Sequence, residues 1–208
     1  MRTRRDFLQL GIAASALPFA DAAFLSSNST ASVTPPTVFL YKAVFDERFP
    51  ESVSFARQME KLGVLAHGIA GDITDFWFHE LHAQWTKEPV AIAGLTAHGP
   101  LFCLERLAWD HRMRVVYRAE HRQRDNSRIE HALRGPASML RQTADLVGGG
   151  ADWGLQVANV VSRCPNVCSE VTETTIIAAV PNSSDRGESA NTEQEPLLSW
   201  VIAPAARA

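Results

Sequence analysis

The chain has 208 residues, 46% of them hydrophobic, with 20 basic and 23 acidic side chains and a formal charge of −3. That length suits one domain with a real core, and the charge balance excludes bulk attraction to nucleic acid or to an anionic membrane surface. Three cysteines supply no ligand set for an iron–sulfur cluster.

In chain order, the first feature is MRTRRDFLQLGIAASALPFADAAF. A basic start (Arg2, Arg4, Arg5) precedes an apolar run from Leu8 to Ala20, broken by Pro18 and followed by the small residues Ala20 and Ala22. This resembles a twin-arginine signal peptide, with Arg4 and Arg5 as its signal pair and cleavage before Ala23. A span needs about 20 uninterrupted apolar residues, so this run is too short to cross a membrane. The expected organisation is a signal at 1–22, a polar linker at 23–37 and a single α/β domain at 38–208.

The resemblance implies export of a folded chain to the periplasm through the twin-arginine translocase, with no stable membrane anchor. Such passengers hold a cofactor or travel with a partner that does. Removing the signal leaves 17 basic and 21 acidic side chains, a charge of −4. In an oxidising compartment, Cys164 and Cys168 of RCPNVCSE read as a local disulfide. Two thiols with no neighbouring histidine make a poor metal clip.

Beyond the linker the pattern alternates. TVFLYKAVF predicts a strand. PESVSFARQMEKLG predicts a helix, with Pro50 near its first turn and Gly63 as its stop. VLAHGIA is a second strand. DITDFWFHELHAQWTKEP is a helix capped by Asp72 or Thr74 and ended by Pro89. VAIAGLTA, GPLFCLERLAWDH and MRVVYRAE continue as strand, helix and strand. This predicts a mainly parallel sheet with helices on both faces. NSRIEHALR, PASMLRQTADLV and DWGLQVANVVSR then read as a C-terminal helical segment. TTIIAAV and LLSWVIA read as two strands that pair as an antiparallel edge hairpin or extend the sheet edge.

Ligands of open parallel sheets bind beyond the carboxyl ends of the strands. The strand assignments put Asp72, His98 and His121 on that rim, and these are candidate catalytic groups, as is Cys103. The strand–AHGP–helix unit resembles the nucleophile elbow of the class I glutamine amidotransferase-like (DJ-1 and PfpI-type) proteins, in which His-Gly-Pro follows a cysteine. His98, Gly99 and Pro100 match, but Ala97 occupies the nucleophile position, so the cysteine chemistry does not carry over. Cys103 near a helix start is the nearest substitute thiol. His79 and His82 lack the spacing of the zinc-protease helix and a third ligand.

Phe76, Trp77, Phe78 and Trp85 surround much of one helix, which marks them for a partner or for burial under the chain's own C-terminal segment. Residues 112–134 hold seven arginines against three acids, and Arg118 and Arg122 are further partner-binding candidates. No dinucleotide fingerprint follows the first strand and no haem-attachment motif occurs, so no cofactor is assigned to this chain. Two functions are consistent with these features. One is a companion or binding subunit of a larger, cofactor-bearing exported redox enzyme. The other is a stand-alone enzyme or small-molecule-binding protein with its site near His98 and Cys103.

Overall fold

The structure, a computed structural model, describes residues 37–125, 127–141, 143–166, 170–179 and 195–205. The signal, the linker before Thr37 and Cys168 lie outside them. The first half alternates as β1 (Leu40–Asp46), α1 (Pro50–Lys61), β2 (Ala66–Ile69), a three-part helix, β3 (Ala91–Thr96), α4 (His98–Asp110) and β4 (Met113–Asp125). The three parts are α2 (Thr74–Phe76), a π-helical turn (Trp77–Leu81) and α3 (His82–Lys87). Then come β5 (Arg128–Pro136), α5 (Ala137–Leu140), α6 (Ala144–Val147), α7 (Trp153–Val161), β6 (Val171–Ala179) and β7 (Leu197–Pro204).

The α/β class holds. One seven-stranded sheet runs in the order β2-β1-β3-β7-β4-β5-β6. Five strands, β1 to β4 and β6, point one way. Parallel pairing joins β1 only to β2 and β3, because β7 and β5 are interleaved antiparallel among the rest. The antiparallel edge is therefore the β4–β5–β6 meander. The last two strands form no hairpin: β7 passes to the middle of the sheet while β6 stays at the rim. The reason lies in LLSWVIA, seven consecutive residues buried on both faces, which only a central strand can accommodate.

From Arg128 on, the stretch NSRIEHALR is strand β5, not a helix. Ile129, His131 and Leu133 face the core, whereas Arg128, Ala132 and Arg134 face outward, a period of two. Among the described residues, helices cover only one face on this side of the sheet.

Two hydrophobic cores sandwich the other half. One joins α1 and α7 to Ala43, Ala93, Leu95, Tyr117 and Val201. The other joins the three-part helix and α4 to Val44, Ile92, Trp200 and Ile202. Within that second core, Trp77, Leu81 and Trp85 recur every four residues. That spacing keeps the three side chains on one helix face, and all three are buried. The π-helical turn is also tied to β1. A bulge between Leu40 and Lys42 turns Tyr41 to the same side as Lys42. Tyr41 Oη and Lys42 Nζ both donate to Glu80, each at 2.7 Å.

Trp200 lies across Gly94 of β3, its directly paired neighbour, and donates from Nε1 to Thr96 Oγ1 at 3.1 Å. A Cβ at Gly94 would fall 2.3 Å from Trp200 Cζ2 and 2.8 Å from the Val44 carbonyl oxygen. Gly94→Ala is therefore expected to cost about 2 kcal/mol through overpacking. Gly99→Ala, which meets no atom within 4 Å, should be neutral or mildly stabilising in its helix. Urea unfolding of both variants checks the contrast, and equal stabilities would refute the close approach.

Candidate functional site

The polar groups of the sheet converge on the α1/α7 face through a second bulge. Between Val115 and Tyr117 the pairing of β4 with β7 shifts by one residue. Met113 and Val115 pack on the α4 side before the bulge, and Tyr117 and Ala119 pack on the α1/α7 side after it. The shift reverses which face each later residue occupies. It turns His121 inward, opposite His131 in the β4–β5 register.

His121 Nδ1 lies 2.6 Å from His131 Nδ1, and His121 Nε2 lies 2.8 Å from Ser199 Oγ. Ser199 Oγ in turn lies 3.4 Å from Tyr117 Oη, and whichever hydroxyl is not otherwise donating supplies that hydrogen. Trp153, from the start of α7, packs against both imidazoles in tilted geometry, with centroids 4.8 and 5.6 Å away. Gly154 lets α7 come this close: a Cβ there would fall 2.1 Å from the Glu51 carbonyl oxygen of α1.

Nδ1 of one ring must donate and the other accept. If His131 donates, His121 passes its own Nε2–H to Ser199 and His131 Nε2 keeps a buried lone pair. If His121 donates, Ser199 donates to His121 and His131 Nε2–H is the buried group. Either way His131 Nε2 has no hydrogen-bond partner among the described residues, a desolvation cost the rest of the network must offset. Burial, reinforced by the neighbouring His131, pushes His121 well below the usual imidazole range. Burial pushes His131 down to about 4 and raises the Tyr117 phenol. The core holds both rings neutral.

The second tautomer places a serine hydroxyl on an imidazole whose other nitrogen is held by a third group, the arrangement of a nucleophile with its base. Access decides against that use here. Ser199 and His131 are 0% exposed. The recess touching His121, bounded by Glu51, Gln123, Trp153, Glu195 and Leu197, measures about 20 Å³. That is the space of one water molecule. The network is a polar lock joining β4, β5, β7 and α7.

No family model, curated protein or solved structure matches this chain.

Of the residues singled out in the sequence, His121 alone enters this cluster. His131, Ser199, Tyr117 and Trp153 were missed. The available signal was the alternation around His121 and His131, which places both on inward positions. His98 and Cys103 are exposed on α4, and Asp72 is exposed, where it caps the helix by accepting from Thr74 N at 2.8 Å. Ala97 has an ordinary extended backbone (φ −63°, ψ 172°) and is buried, so the strand-to-helix turn carries no elbow strain. His82 packs on Trp77 and His111. Among the described residues no three of His, Cys, Asp and Glu gather as metal ligands.

Phe76, Trp77 and Trp85 are buried in the core shared with Val44, Ile92 and Trp200, which leaves them little surface for a partner; Phe78 is 70% exposed. Arg118 and Arg122 lie on the face of the meander that no helix covers among the described residues, and Arg122 pairs with Glu120 at 2.5 Å. Cys164 is buried, and the pairing expected of it involves Cys168, outside the described residues.

The neutral histidines make stability depend on pH. Unfolded imidazoles take up a proton near 6.5. As pH falls from about 6.5 toward 4, the unfolded chain binds protons that native His131 refuses, so stability is complete above this window and drains through it. For His131 alone the loss reaches about 3 kcal/mol. Urea unfolding between pH 7.5 and 4 should show this decline, and His131→Leu should flatten it while lowering stability at pH 7.5. Parallel pH profiles for the two proteins would refute the assignment.

Proposed function

We propose that this chain is an exported companion or binding subunit of a larger, cofactor-bearing periplasmic redox enzyme. One observation carries the reading: the one arrangement that sets a hydroxyl on an imidazole among the described residues is inside, and large groups suited to contact are outside. His121, His131, Ser199 and Tyr117 are sealed in the core, whereas Phe78, Phe102 and Trp109 stand exposed on helices. A catalyst needs the opposite distribution, with its reactive groups in an open cleft.

The signal-like start supports export in the folded state, and the periplasm is the compartment this implies. A partner holding the cofactor gives that route its purpose. The alternative, an enzyme or small-molecule site near His98 and Cys103, has less behind it. Both residues lie on the outer surface of α4 rather than in a recess.

Native purification from the exported fraction, with mass and visible spectrum recorded together, tests the reading. The expected result is a complex with a larger, coloured chain, and a mature N-terminus at Ala23. Replacing Arg4 and Arg5 together by lysine should leave the protein inside the cell. A colourless monomer would overturn the companion reading.

A further inference from the structure

Helix α4 carries an outward ladder that the core does not require. Pro100, Leu101, Leu104 and Ala108 bury its inner side. On the outer side, His98, Phe102, Arg106 and Trp109 follow at helical spacing, all exposed. The His98 and Phe102 rings stack with centroids 6.0 Å apart. The Arg106 guanidinium lies 5.3 Å from the Phe102 ring and 4.4 Å from that of Trp109. Both of these aromatic residues are 47% exposed.

Arg106 has a carboxylate on its own helix, Asp110, at the i+4 position where ion pairs form readily. It does not use it: among the described residues no acid lies within ion-pair distance of Arg106. The guanidinium instead lies against two rings, which fixes its plane and leaves its hydrogen-bonding edge free. A guanidinium held this way is prepared for a planar, two-pronged acceptor. Tryptophan and arginine are also the residues that most often dominate binding energy at interface centres.

We infer that this outer face of α4 is the docking surface of the companion subunit, and that it receives a partner-protein segment presenting a carboxylate beside an apolar side chain. The carboxylate takes the fork of Arg106, and the apolar group covers Phe102 and Trp109. Charge favours a single carboxylate over a phosphate-rich surface, because Glu105 and Asp110 flank Arg106 and would repel a dense array of anions. The inference rests on the companion reading and gives it a location, α4 rather than the aromatic helix preceding β3.

Cys103, exposed on the same helix, provides the handle for the test. The full exported chain, labelled at Cys103 with a thiol-directed photocrosslinker, is returned to the native fraction, and the crosslinked partner peptide is sequenced. Affinity for the purified partner is then measured for wild type, Arg106→Glu, Arg106→Lys and Phe102→Ala/Trp109→Ala, with circular dichroism confirming that each variant is folded. The expected result is a peptide bearing Asp or Glu, and binding weakened about 30-fold or more by Arg106→Glu. Arg106→Lys should restore only part of that loss, and reversing the partner's acid to lysine should rescue Arg106→Glu. A complex that forms normally with Arg106→Glu overturns this surface and leaves the companion reading standing. A wild-type chain that is monomeric and yields no crosslink overturns both.

Discussion

The rest of the molecule depends on β7 lying between β3 and β4. Without it there is no single sheet: β1, β2 and β3 would form a small parallel unit, and β4, β5 and β6 a separate meander. The strand also supplies both faces. Trp200 fills the α4 side against Gly94, while Ser199 closes the histidine network on the α1/α7 side. One residue's shift in register would exchange these two roles, placing an indole among imidazoles and a hydroxyl in an apolar core. The polar network and the Trp200–Gly94 contact thus specify the same register from opposite faces.

The two halves of the sheet solve different problems. The half near β1 and β3 is covered on both faces and built from apolar residues. Among the described residues the meander is covered on one face only, and its other face carries most of the arginines that made residues 112–134 look basic. Arg122, Arg124, Arg128 and Arg134 meet Glu120, Glu130, Asp125 and Glu173 there. Exposed pairs of this kind contribute little to stability, but they balance the local charge. That separates them from Arg106, whose charge is held by rings instead of by an acid.

Much of the first half was legible because strand and helix alternate with different periods and Pro and Gly mark the joints. The second half was not. In β5 the inward positions include a histidine and the outward ones an alanine, which blurs a period of two into something helix-like. The place of β7 is a long-range pairing that no local pattern encodes, although its unbroken apolar run was a clue to burial on both sides. The site suffered from both effects. His121 looked like a loop residue because β4 was read as ending near Glu120, and the bulge that turns it inward leaves no mark in composition. Phe76, Trp77 and Trp85 were ambiguous for another reason: together with Phe78 they put large side chains around much of the helix, so the sequence alone did not say which of them meet the sheet.

The central position of β7 also dictates an order of events. Trp200 bonds a residue 104 positions earlier in the chain, and during synthesis β3 and β4 both emerge well before the strand that separates them. Until it arrives, each presents an unpaired, apolar edge, the kind of surface that joins wrongly with its neighbours. Closing a loop of this size before any contact rewards it slows folding. The half-made protein is thus exposed to aggregation for longest at the two edges that matter most. Eight residues determine when the other six strands become one sheet.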